Sequence, residues 1–118
     1  MIEKDFRVIR MHQSNRSQNY PQEKIEILII DGGSNPDVLK ECKKYNVKIF
    51  NNPKQLAEGA GMGKDQGIWK SKGEFIVISE SDIEYIEKNW TKNMIKPFHE
   101  NKNIFASVPR LFINKKDN

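Results

Sequence analysis

Apolar residues in this chain gather into short runs separated by polar turns. Residues 25–30 form an apolar run of strand length and predict a buried strand. Asp31-Gly32-Gly33-Ser34-Asn35-Pro36 follows as a turn. Ser34 and Asn35 are good N-caps there, and Pro36 suits a first helical position. The next segment, residues 37–45, predicts a helix with Val38, Leu39 and Cys42 on one face. Residues 47–50 predict a second strand, closed by Asn51-Asn52-Pro53. A short helix from about residue 62 to residue 71 comes next, with Ile68 and Trp69 partly buried, and Lys72-Gly73 ends it. Residues 74–79 predict a third strand. Residues 89–101 predict an amphipathic helix with Trp90, Met94 and Phe98 on one face, disturbed in its last turn by Pro97. Residues 104–108 predict a fourth strand. Phe6, Val8, Ile9 and Met11 fit either a helix or a short strand, and Gln18-Asn19-Tyr20-Pro21 breaks that pattern. Strands alternating with helices imply an α/β fold: a mostly parallel, Rossmann-like sheet with flanking helices.

Composition narrows the function classes. A length of 118 residues suits one small domain, and 36% hydrophobic with 31% charged residues is polar yet not disordered. The formal net charge is +4, and the excess lysines are scattered. A mild positive field favours an anionic substrate or a membrane surface. No basic stripe with interleaved aromatics is present, so nucleic acid is not an expected partner. The single cysteine, Cys42, cannot form an intrachain disulfide or a thiolate cluster and reads as core filler. His12 and His99 stand apart from any acid pair and are not expected to be catalytic. Trp69 and Trp90 read as core or half-buried anchors. No signal-type apolar segment and no run of ~18 apolar residues occurs, which makes a cytoplasmic protein the default.

The chemistry lies at the strand ends. The strand at 25–30 runs into Asp31, and the strand at 74–79 runs into Glu80-Ser81-Asp82. In open α/β sheets, ligands bind beyond the carboxyl ends of the strands. Glu80 and Asp82 alternate onto one side of an extended segment and suit a hard divalent cation held through oxygen. The glycine-rich segment 58–67 invites a nucleotide-loop reading but fails both templates. Gly63-Lys64 is followed by Asp65 rather than Ser or Thr. The third glycine of G-x-G-x-x-G falls on Lys64 or Gln66.

Four elements taken together resemble the family 2 glycosyltransferases of the GT-A fold: Gln18-x-Tyr20-Pro21; Glu26 through Asp31-Gly32-Gly33-Ser34; Gly63-Lys64-Asp65-x-Gly67-Ile68; and Lys72-Gly73-Glu74-Phe75-Ile76-Val77-Ile78-x-Glu80-x-Asp82. Their order and spacing fit from about residue 8 to residue 109. The resemblance implies that Asp31, in the turn with Gly32, Gly33 and Ser34, contacts the base of a nucleotide-sugar donor, commonly uracil. It implies that Lys64 and Asp65 line the donor site. It places Glu80 and Asp82 on the family's acidic metal element. Glu80 would hold the ribose or the metal's water shell, and Asp82 would coordinate Mg²⁺ or Mn²⁺ bridging the diphosphate. A metal clamp neutralises the leaving diphosphate without needing a proton.

The resemblance further implies transfer of a sugar from a nucleotide-diphosphate sugar, most simply a UDP-sugar, to a glycan or lipid-linked acceptor. That transfer would be metal-dependent and inverting, and cytoplasmic or peripheral at the inner membrane face. Three departures stand out. Glu80 replaces the usual Asp, the family's opening strand is absent, and so is the acceptor half with its general base. Residues 1–118 therefore read as a single partial donor-binding domain, inactive alone and open to a complementing polypeptide. Simpler readings stay open: Asp31 as a turn residue, Glu80 and Asp82 as a solvated acidic turn continued by Glu84, Lys64 and Asp65 as a surface pair. The alternative function is a non-catalytic remnant or nucleotide-binding module.

Overall fold

The computed structural model describes residues 16–52, 60–80 and 83–110. The expectations placed on residues 6–15 and on Asp82 lie outside that set. The described residues form an α/β arrangement with two strands, β1 (Leu28–Asp31) and β2 (Lys48–Asn51), paired in parallel from Leu28 opposite Lys48 to Asp31 opposite Asn51. Parallel neighbours require a crossover, and helix α1 (Pro36–Cys42) supplies it. Its start is encoded locally. The Asn35 side chain accepts the Asp37 N–H at 2.9 Å, and Pro36 occupies the first turn. The helix tightens into a 3₁₀ turn, Lys43–Tyr45, and Asn46 closes it in the left-handed region at φ 47°. The helix expected over residues 37–45 is thus present in two parts. Arg16 braces this end, its guanidinium donating to the carbonyls of Tyr45 at 2.6 Å and Asn46 at 3.0 Å.

Helix α2 (Ala60–Lys70) packs on β1 through glycine. A Cβ at Gly67 would lie 3.3 Å from Ile30 Cγ1, and Gly63, one turn earlier, is buried. This geometry corrects the expectation for Trp69. The helix buries its glycine side, and Trp69, about 200° around from Gly67 at 100° per residue, is 82% exposed. Ile68 also sits largely at the surface.

Helix α3 (Trp90–Glu100) presents the expected face. Trp90 packs on Tyr85 with tilted rings 4.6 Å apart between centroids, and Phe98 meets Phe75 at 5.3 Å; Met94 takes part through its backbone, its carbonyl accepting the Ser107 hydroxyl at 3.0 Å. Gln18 fastens the first described turn to this helix. It donates to the Glu87 carbonyl at 2.7 Å and accepts the Thr91 N–H at 3.1 Å.

Two further expectations need correction. Residues 74–79 and 104–108 carry strand-like sequence but form no ladder. A strand is defined by a hydrogen-bonded neighbour, and neither segment has one among the described residues. Ile76, Val77 and Ile78 are about half exposed, and Phe105 is 95% exposed. The run at 25–30 is likewise only partly covered, and its paired portion begins at Leu28. The fully covered apolar core of the described residues is small: Val38, Cys42 and Tyr85.

Candidate functional site

A cleft of about 840 Å³ opens between β1 and residues 75–80, with walls from all three helices. Asp31, Gly32, Ser34, Lys64 and Glu80 line it. Five of the residues singled out from the sequence therefore border one space. Gly33 and Asp65 do not line it: Gly33 serves the turn, and Asp65 sits exposed on the surface of α2, one helical step from Lys64. Asp82 lies outside the described residues.

Asp31 is the best-held member of the group. It is buried at the end of β1, and its backbone carbonyl accepts the Asn52 N–H at 2.7 Å. Its carboxylate accepts the N–H groups of Ser34 at 3.0 Å and Gly33 at 3.3 Å. Gly33 has φ 124°, a conformation that side chains rarely adopt, which is why glycine stands there. The turn fixes the carboxylate at the mouth of the cleft. Each of its oxygens keeps a lone pair for a further donor, because an ionised carboxylate has about four acceptor sites.

Across the cleft, Lys64 and Glu80 form an ion pair, both partners substantially exposed. Lys64 belongs to the first turns of α2, and Glu80 ends the unpaired segment. Exposure makes the pair weak and exchangeable. An anion could draw Lys64 away, and a cation could take Glu80. Among the described residues, no three acidic, histidine or cysteine side chains gather as a metal site. Glu80 offers a carboxylate oxygen, a hard donor of the kind that Mg²⁺ or Mn²⁺ takes.

Two supporting residues were not legible in the sequence. Asn52 is buried beside Asp31 and ties the end of β2 to it. Tyr85 is buried and donates its hydroxyl to Ser79 Oγ at 2.9 Å, which positions the segment leading to Glu80. Burial pushes the Tyr85 phenol above its ordinary value, with the Ser79 hydrogen bond opposing. Asn51-Asn52-Pro53 signals only a turn, and no local pattern ties Tyr85 to the site. Burial, followed by the charges of Asp31 and Glu41, raises the Cys42 thiol and keeps it an inert filler, as its sequence context implied.

Parallel strands, a crossover helix and an acid at the strand end opening on a cleft define an α/β ligand-binding fold of the Rossmann-like type. Residues 7–118 match the family described as Glycosyl transferase family 2, and the chain belongs to that family. It is similar, at 36% identity over 93 residues, to a dolichyl N-acetyl-alpha-D-glucosaminyl phosphate 3-beta-D-2,3-diacetamido-2,3-dideoxy-beta-D-glucuronosyltransferase of Methanococcus voltae. That match covers 73% of this chain and 28% of the relative. It is 35% identical over 75 residues to a glucosyl-3-phosphoglycerate synthase of Petrotoga mobilis, covering 59% of this chain and 23% of that one. A poly(ribitol-phosphate) beta-N-acetylglucosaminyltransferase, TarS, of Staphylococcus aureus matches at 26% over 89 residues, with 73% and 15% covered. The chain thus spans between 15% and 28% of the length of these relatives. No solved structure matches it. No helix among the described residues is long and apolar enough to cross a membrane.

Proposed function

We propose that residues 1–118 act as the donor-binding part of a glycosyltransferase, holding a nucleotide-diphosphate sugar for transfer to a glycan or lipid-linked acceptor. The observation that carries this reading is the shared cleft: Asp31, Lys64 and Glu80 border one space in a chain of family 2. Asp31, with open lone pairs and a rigid turn of Gly32, Gly33 and Ser34, accepts from the donor's base, uracil being the simplest match. Lys64 leaves Glu80 to meet the diphosphate. Asp65, exposed beside Lys64 on α2, is the second donor contact that the family resemblance implies. Glu80 and Asp82 hold Mg²⁺ or Mn²⁺, with Asp82 as the main ligand. The metal supplies charge neutralisation for the leaving diphosphate. Attack by the acceptor opposite the leaving group inverts the anomeric centre. A lipid-linked acceptor places the work at the cytoplasmic membrane face.

The test is a calorimetric titration of UDP into the full chain with and without Mn²⁺. Mn²⁺-dependent binding is expected, weakened more by Asp82→Ala than by Glu80→Ala, and weakened by Lys64→Ala. Binding that ignores the metal, or that depends more on Glu80 than on Asp82, contradicts the assignment.

A further inference from the structure

We propose that Tyr85 is the positioning residue for Glu80. A chain of hydrogen bonds from its hydroxyl through Ser79 to the Glu80 backbone sets where that carboxylate stands at the cleft, and through it how tightly a divalent cation is held. The proposal deepens the reading of Glu80 as a metal contact and rests on it. It adds a residue that acts on the cation only through another.

Glu80 needs such a hold. Its side chain is 55% exposed, and among the described residues its carboxylate pairs with Lys64 alone, whose side chain is 41% exposed. An exposed ion pair fixes geometry poorly, because water and salt compete for both partners. Residues 74–79, which lead to Glu80, form no ladder among the described residues. Placement of the carboxylate therefore falls to the backbone at Glu80 itself. Two donors reach its carbonyl: Ser79 Oγ at 3.4 Å and the Ile83 N–H at 3.3 Å. Both bonds are long, so each depends on what holds its donor in place.

Tyr85 holds the Ser79 donor. Its hydroxyl donates to Ser79 Oγ at 2.9 Å across a sequence separation of 6. A hydroxyl that accepts one hydrogen bond becomes a better donor in the next, so Tyr85 strengthens the long bond to Glu80. The ring is a fixed post. It is 6% exposed and packs on Trp90 of α3. The start of α3 is tied in turn to buried Gln18, which accepts the Thr91 N–H at 3.1 Å. Burial raises the phenol pKa, so the hydroxyl keeps its proton through neutral pH. The same helix holds the far end of the segment, where Phe75 meets Phe98 at 5.3 Å and His99 at 5.6 Å. Those ring contacts place Phe75 without a directional bond, whereas the Tyr85 hydroxyl reaches the residue next to the acid.

The test uses the full 118-residue chain and Tyr85→Phe, which keeps the ring and removes the hydroxyl. Without ligand, exchange of the Ile83 amide, read by solvent-exchange NMR, is expected to quicken about fivefold, while the Asn52 amide at the end of β2 is unchanged. With Mn²⁺, UDP binding read by calorimetry is expected to weaken about fivefold, the scale of one neutral hydrogen bond, and any residual binding in EDTA is expected to stay the same. Ser79→Ala should reproduce both effects, the double variant should add nothing further, and Ser79→Thr, which keeps a hydroxyl, should behave as the parent. Unchanged Ile83 exchange in Tyr85→Phe overturns the proposal, as do additive losses in the double variant or equal loss of UDP binding with and without metal. A lowered urea midpoint with both readouts unmoved would make Tyr85 a core residue alone and overturn it too. A parent chain that shows no Mn²⁺-dependent UDP binding would fail the donor reading, and the Ile83 amide then decides the positioning by itself.

Discussion

Asp31 shows how one residue joins fold and site. Its carboxylate closes the turn by accepting two backbone N–H groups, and the same group borders the cleft. Replacing it should cost both. Asp31→Ala is expected to lower stability by about 2 kcal/mol, the scale of hydrogen bonds to a charged acceptor, and to weaken UDP binding. Urea unfolding and calorimetry read the two losses. Gly33→Ala tests the backbone alone. At φ 124°, a Cβ is strained, and a loss of about 1–3 kcal/mol is expected with the Asp31 carboxylate left in place. A neutral result would mean that the turn relaxes into another conformation.

At the scale of elements, α2 sits where it does because it has no side chain in the way. Gly67 lets the helix approach Ile30 of β1, and the approach brings Lys64 to Glu80. Gly67→Leu should force the helix off the strand and cost about 1–3 kcal/mol by overpacking. Gly61 lies on the same helix, yet a Cβ there would meet nothing within 4 Å. Gly61→Ala should therefore stabilise by up to about 1 kcal/mol through helix propensity. Opposite shifts in the urea midpoint are the expected result; shifts of one sign would show that packing on β1 does not distinguish the two glycines.

Over the whole molecule, polar ties do much of the work that a large core would otherwise do. Glu26 links three segments. Its carboxylate accepts Lys48 Nζ at 2.9 Å and the Lys72 N–H at 3.0 Å. The Lys48 hydrogen bond first, and then that of Lys72, hold its pKa below the ordinary 4.5. A depressed carboxyl pKa gives stability that is present above the unfolded-state value and is lost as pH falls through the folded one. Below about pH 4.5 the parent chain should therefore lose stability more steeply than Glu26→Gln, as read by urea midpoints between pH 6 and pH 3. The partial solvent exposure of the pair keeps the difference small. The isolated chain should show no acceptor-dependent release of nucleoside diphosphate above a Glu80/Asp82 double-alanine control. Transfer needs an acceptor held in line and a base at its hydroxyl. Release above that control would show that these residues hold a complete active site.

Local chemistry was readable without coordinates. Asn35 and Pro36 announce the start of α1, Val38 and Cys42 mark its buried face, and Trp90 and Phe98 mark the packing side of α3, because caps and helical periodicity act within a few residues. The acids that end two apolar runs also pointed to the strand ends as the place to look. Tertiary structure decided what depends on neighbours. Residues 74–79 and 104–108 have strand composition, yet a ladder needs a partner edge that local sequence does not supply. Trp69 reads as an anchor by residue type but faces outward, because glycine contact with Ile30 sets the rotation of α2. Asn52 and Tyr85 reach the site only through chain returns that bring distant segments together. The cleft itself is a tertiary fact: β1, residues 73–80 and the three helices that line it are brought together only by the fold.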